Sequence, residues 1–155
     1  MANTYSQLYI HFVFAVENRN SLISEKWEEE LYKYTSGILK GKNHKPIAIN
    51  GMPDHIHILA GLNPSMSCSE TMQIIKSETS KWINSRGFVR GKFRWQSGFG
   101  SFSYSRSHLN NVYQYVMNQK AMHKRKSFTE EYIDLLEAFD IPYDSKYIFH
   151  DCDRE

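Results

Sequence analysis

Apolar residues along this chain follow two different periods, and the order in which those periods succeed one another carries most of the fold. Tyr5 to Val16 (YSQLYIHFVFAV) is rich in aromatic and β-branched residues with a partial period of two, which predicts a strand covered on one face and partly on the other. Ser24 then offers an N-cap ahead of a run of glutamates. Trp27, Leu31, Tyr34 and Ile38 recur at helical spacing, so a helix is expected over about Glu25 to Gly41. Lys45 to Asn50 and His55 to Leu62, separated by Gly51-Met52-Pro53-Asp54, predict a hairpin. Met72, Ile75, Thr79, Trp82 and Ile83 share one side of a second helix, about Ser69 to Ser85, while Lys76, Lys81 and Arg86 lie off that side. Phe93 to Tyr104 (FRWQSGFGSFSY) is strand-like again, interrupted by Gly98 and Gly100.

The resulting order, β-α-β-β-α-β, is that of an α+β, ferredoxin-like sandwich: an antiparallel sheet with two helices on one face and the other face available for a ligand. Two further helices are expected after it. One runs from Ser107 to about Lys124, with Leu109, Val112, Tyr113 and Val116 at i, i+3, i+4 and i+7. The other, Thr129 to Phe139, places Tyr132, Leu135, Leu136 and Phe139 on one face and its acids on the opposite one. A chain of 155 residues fits one domain, so residues 1–127 and the acidic helix and tail of 128–155 are expected to belong together.

Composition narrows the class. With 41% hydrophobic and 14% aromatic residues and only eight Gly and four Pro, the chain belongs with folded globular proteins. No apolar run is long enough for a membrane span and no secretory leader is visible, so a cytoplasmic location is expected. Cys68 and Cys152 form neither a disulfide framework nor a Cys-x-x-Cys metal site. The formal net charge of +2 conceals an asymmetry: from Phe128 onward nine acidic residues face only Lys146 and Arg154, which leaves 17 basic against eight acidic residues in 1–127. Within that basic body, Lys76, Lys81, Arg86, Arg90, Lys92 and Arg94 form one cluster and Lys120, Lys124, Arg125 and Lys126 another, the footprint of a polyanion binder.

The chemistry-bearing residues lie between and after those clusters. In Pro53-Asp54-His55-Ile56-His57-Ile58-Leu59 the side-chain period of a strand puts both imidazoles on one face and Ile56 and Ile58 in the core. The pair could grip a metal ion, although a polar sheet face would carry the same residues. On the helix after the sheet, Tyr113 joins the apolar stripe, whereas Tyr115 is rotated about 200° from it and shares a face with Gln119 at i+4 and His123 one turn further. His11 alternates with core residues on the first strand and reads as a sheet histidine behind the pair. Trp27 and Trp82 fit helix core positions.

The His-hydrophobic-His on the third strand, the Tyr-x-x-x-Gln on the helix after the fourth, the strand-one text Ile10-His11-Phe12-Val13-Phe14 and the Trp95-Gln96-Ser97-Gly98-Phe99-Gly100 stretch together resemble the HUH single-tyrosine transposases of the smallest insertion sequences (the IS200-like superfamily) and their REP-associated relatives. The resemblance spans roughly Thr4 to Lys126 and leaves the acidic helix outside. It implies that His55, His57 and Gln119 hold a divalent ion, Mg or Mn, and that Tyr115 is the nucleophile that forms a 5′-phosphotyrosine on single-stranded DNA. It also implies a hairpin-bearing DNA partner and a homodimer, with no nucleotide cofactor. Imidazole and amide ligands by themselves would suit zinc equally, and only the resemblance points to the harder ions. Lys76, Lys81, Arg94 and Trp95 are then candidate contacts to DNA backbone and bases, since single-strand binders combine a basic groove with aromatic platforms. The alternative is a non-enzymatic single-stranded RNA or DNA-binding module: Ser97 to Tyr104 matches four defined positions of the RNP1 pattern, but on the fourth strand rather than the third.

Overall fold

Alternation at the first and third strands divides the molecule into two layers of packing around one sheet. In a computed structural model describing residues 4–123 and 126–144, the elements are β1 (Tyr9–Ala15), α1 (Glu28–Gly41), β2 (Lys45–Met52), β3 (His55–Gly61), α2 (Cys68–Arg86), β4 (Gly100–Tyr104), α3 (Leu109–Met117), α4 (Gln119–Met122) and α5 (Phe128–Ala138). The sheet order is β2-β3-β1-β4 with every neighbouring pair antiparallel, the ferredoxin-like arrangement expected from the element order. Opposite each other in the β1–β3 register are Phe12 and Ile58, Phe14 and Ile56, Val13 and His57, and Ala15 and His55. One face therefore presents Phe12, Phe14, Ile56 and Ile58 to Leu31 and Leu39 of α1 and Met72, Ile75 and Ile83 of α2, which together form the main core.

The opposite face was expected to stand open, and it does not. Val112 and Val116 of α3 pack on Ala48 and Leu59, and Phe128, Tyr132 and Leu136 of α5 pack on Val13, Ala15 and Phe102. Gly100 permits the close approach of α5: a Cβ there would lie 2.9 Å from the Tyr132 hydroxyl. The rings of Phe102 and Tyr104, which an RNA-recognition sheet would offer to bases, are covered by Phe139.

Several boundaries differ from the sequence reading for local reasons. The first strand starts at Tyr9, since Tyr5 is almost fully exposed and the segment before Tyr9 pairs with no strand. Ser24 caps a turn rather than the helix: its Oγ accepts from Lys26 N (3.1 Å) and its carbonyl accepts from Trp27 N and Glu28 N, so α1 begins at Glu28. The fourth strand is only Gly100–Tyr104; Phe93 and Trp95 are core residues carried on the loop before it. The helix predicted from Ser107 to about Lys124 breaks at Asn118 into α3 and α4. There the side-chain amide of Asn50, on β2, donates to the carbonyls of Val116 and Met117 at 3.1 Å each, replacing the next turn's backbone donors. Ser127 caps α5 by accepting from Glu130 N (3.2 Å). Lys124 and Arg125 of the second basic cluster, with Lys146, Cys152 and Arg154 of the tail, lie outside the described residues. Among those described, no helix is long and apolar enough to cross a membrane.

Candidate metal and nucleophile site

The His55–His57 pair is set by the β2–β3 hairpin. Gly51 lies so close to the turn that a Cβ would meet the His55 carbonyl at 2.3 Å, and the tight closure leaves His55 at the very start of β3. Its Nδ1 donates to Asp54 Oδ1 at 2.7 Å, which points Nε2 into the space between the sheet and the helices. His57 shares one hydrogen between its Nδ1 and His11 Nε2, 2.7 Å apart, with the two rings stacked. The sheet histidine His11 thus lies behind the pair and orients its neighbour.

Above the pair, α3 and α4 bring down Tyr115 and Gln119 despite the break between them. The Tyr115 ring lies 5.7 Å from that of His57, and Gln119 Oε1 lies 3.1 Å from His55 Nε2. His123 places Nε2 3.0 Å from the same Gln119 oxygen, its Nδ1 donating to the Lys126 carbonyl at 2.7 Å. All three ligands suggested by the sequence resemblance, His55, His57 and Gln119, are fully buried here beside the tyrosine. Tyr113, assigned to the apolar stripe, instead faces outward at 37% exposure, and Tyr115 joins Val112 and Val116 on the buried side. The stripe was misread because Leu109 to Tyr113 is a valid i+4 pair, yet Tyr115 sits three residues from Val112 and is equally its neighbour.

The residue that sequence reasoning missed is Glu131. The acids of α5 were expected to face solvent, but Glu131 is 2% exposed and projects into the cluster. Its Oε1 lies 3.2 Å from His57 Nε2, 3.1 Å from His123 Nε2 and 3.5 Å from His55 Nε2, while Oε2 accepts hydrogen bonds from Gln119 Nε2 (3.0 Å) and the Tyr115 hydroxyl. The first turn of α5 is clamped to the hairpin: the Phe128 ring stacks on His55 with centroids 4.0 Å apart, and Arg19 bridges Asp54 and the Thr129 hydroxyl. Arg19 and Asn18 both hold left-handed backbone (φ 55° and 57°), a conformation costing on the order of 1–3 kcal/mol per residue that persists only where surrounding contacts over-determine it.

Electrostatics follow from this enclosure. Burial opposes ionisation of Glu131, but hydrogen bonds from His123, His55 and His57 hold its carboxyl well below the usual range. Burial likewise acts to lower His55, yet the Asp54 and Glu131 carboxylates prevail and raise it. His57 and His11 are lowered, in both cases chiefly by burial. Burial, then the Glu131 charge, pushes the Tyr115 phenol far up. With the Nδ1 hydrogens of His55 and His123 committed to Asp54 and Lys126, neutral rings would turn Nε2 lone pairs toward the Gln119 and Glu131 oxygens. Acceptors facing acceptors in a buried space call for a positive charge between them, which protonated imidazoles supply in the metal-free protein and which a divalent cation would supply in their place, so the donor set fits such an ion.

The DNA-contact candidates lie elsewhere, along the loop before β4. All four candidates, Lys76, Lys81, Arg94 and Trp95, line one groove together with Lys92 and Gln96. Lys76, half-buried at the groove, donates to the carbonyls of Gln96 (2.9 Å) and Gly98, and burial lowers its ammonium to about 8. Trp95 is 9% exposed, edge-on to Phe14 and Phe93, with its indole N–H given to Thr79 Oγ1 at 2.9 Å.

Comparison with known proteins gives three findings. A sequence model described as "Transposase IS200 like" matches residues 4–119. A crystal structure of a candidate transposase from Deinococcus radiodurans R1 superposes with a TM-score of 0.59 at 18% identity, covering 76% of this chain and 94% of that one. A REP-associated tyrosine transposase bound to a REP hairpin superposes with a TM-score of 0.59 at 16% identity, covering 78% of this chain and 72% of that one. The curated proteins give no match.

Proposed function

The chain belongs to the IS200-like transposase family, and from that premise we propose that it nicks and rejoins single-stranded DNA through a 5′-phosphotyrosine intermediate on Tyr115. The observation that carries this reading is the position of that phenol: it lies against the His57 ring and within one hydrogen bond of the carboxylate the two histidines face. The Tyr115 oxygen attacks the scissile phosphorus and the bond to the 3′ oxygen breaks, leaving a phosphotyrosine and a free 3′-hydroxyl. The reverse attack by a 3′-hydroxyl restores a phosphodiester, so the bond energy is conserved in the linkage and no nucleotide cofactor enters. The proton that the attacking oxygen must lose already points at Glu131 Oε2. His55, His57 and Gln119 would hold the divalent ion, Mg or Mn, oriented through Asp54 and His11. Such an ion, when bound, withdraws charge from the scissile phosphate.

The substrate we propose is single-stranded DNA with a hairpin, engaged through the backbone by Lys81, Lys92 and Arg94 in the groove before β4. Lys76 and Trp95 line the same groove and fix its loop through Gln96 and Thr79. Two strand ends must be handled to move a segment with one nucleophile per chain, so two subunits act together as a homodimer. Hairpin oligonucleotides drawn from the flanks of the coding sequence, incubated with Mg or Mn, are expected to give a covalent adduct that peptide mapping places on Tyr115. An adduct on another residue, or none with either ion, overturns the proposal.

A further inference from the structure

We infer that Glu131, on α5, is a direct ligand of the divalent ion, so that the acidic helix beyond the family-matched span is part of the catalytic centre. The inference rests on the metal reading above and extends it to a residue outside positions 4–119.

Three observations carry it. Glu131 Oε1 is the point on which the cluster converges: Nε2 atoms of His57, His123 and His55 lie 3.2, 3.1 and 3.5 Å from it. These separations are close to the roughly 3 Å between neighbouring ligand atoms on an ion with bonds of about 2.1 Å. His55, His57 and Glu131 also form a buried set whose ligand atoms all lie within 4.8 Å of one another. The second observation is chemical. Two imidazoles and an amide form a neutral set that suits zinc as well as magnesium, and adding a carboxylate supplies the anionic oxygen that magnesium and manganese need and that zinc also accepts. The third is the helix docking. Phe128 on His55, Arg19 between Asp54 and Thr129, and Tyr132 over Gly100 all hold α5 where its fourth residue, Glu131, reaches the pair. A small cleft of about 140 Å³ lined by Tyr115, Glu131, Met122, Lys126, Asp134 and Leu135 borders the same carboxylate and phenol.

The alternative use of such a carboxylate is as a plug that occupies the ion's place until α5 moves away. Titration of the metal-free full-length protein with Mn, read by the loss of free-ion EPR signal and by the rise in thermal midpoint, separates the two. Glu131→Gln is expected to weaken Mn binding at least about tenfold, no less than the loss of an outer-shell partner causes. Glu131→Asp keeps the charge but withdraws the carboxylate by one methylene, and is expected to weaken binding as well; Glu130→Gln, an exposed charge on the same helix, is expected to leave it within about twofold. Unchanged or tighter Mn binding in Glu131→Gln, or full affinity in Glu131→Asp with loss in Glu130→Gln, overturns the ligand assignment. His57→Ala tests the underlying reading separately. Should the wild type bind Mn, His57→Ala lose it and Glu131→Gln keep it, this inference alone fails; should the wild type bind no Mn, the metal reading fails with it. Far-UV circular dichroism of each variant checks that the fold is retained.

Discussion

At the scale of single residues, the two tyrosines of α3 give the sharpest contrast. Tyr115→Phe removes the oxygen proposed as nucleophile and is expected to abolish the DNA adduct. Tyr113→Phe, altering a side chain on the outer face, is expected to leave adduct yield within about twofold; gel shift under denaturing conditions reads both. Glu131 makes a second prediction, about stability in the metal-free protein. Its carboxyl titrates well below the unfolded value of about 4.5, so below that pH the unfolded chain binds a proton that the folded one does not. Its stabilisation is therefore complete above about pH 4.5 and is lost as pH falls from there. Urea melts with chelator present are expected to give a steep decline in stability below pH 4.5 for the wild type and a shallower one for Glu131→Gln. Equal slopes would mean that the carboxylate is not held ionised by its three imidazoles.

Among elements, the loop before β4 combines structural contacts with the candidate DNA groove. Lys76 belongs to the basic cluster, and its ammonium also donates to the carbonyls of Gln96 and Gly98 and titrates near 8 rather than 10.5. Between those values the unfolded state carries the extra proton, so stability is expected to rise as pH climbs from about 8 to 10.5. Lys76→Met should remove that rise, as thermal melts across the range would record. Trp95 is held on the same loop by Phe14, Phe93 and Thr79, and Trp95→Ala is expected to cost about 3–5 kcal/mol by denaturant unfolding. A loss of DNA affinity without loss of stability would instead give the indole to the bases.

For the whole molecule, the separation of charge has a measurable consequence. The basic groove of Lys76, Lys81, Lys92 and Arg94 is formed by α2 and the pre-β4 loop, whereas the acidic helix covers the histidine cluster on the opposite face of the sheet. Binding of single-stranded DNA should weaken with salt by counterion release, and Lys81→Ala or Arg94→Ala should each reduce the logarithmic slope by about 0.7. An unchanged slope in both variants would remove the groove from the DNA path. Light scattering of the active complex is expected to give a dimer; full strand-transfer activity in a strictly monomeric particle would contradict paired action.

What the sequence determined by itself is what lies within a few residues of each position. Period two on β3 is enough to turn His55 and His57 to one face and Ile56 and Ile58 to the other, and i+4 spacing is enough to associate Tyr115 with Gln119. The order of six elements likewise implies the β2-β3-β1-β4 sheet, because split crossovers leave few ways to pair the strands. Only the tertiary structure decided which residues meet across the far face. Asn50 ends α3 from 66 positions away, and Glu131 reaches His57 across 74, and no periodicity records contacts at that separation. One trace of Glu131 was local after all: it falls three residues after Phe128 and one before Tyr132, inside the apolar stripe of α5. Whether an acid in such a stripe is buried depends on what stands opposite, and here that is three imidazoles whose positions come from the folded sheet and the broken helix.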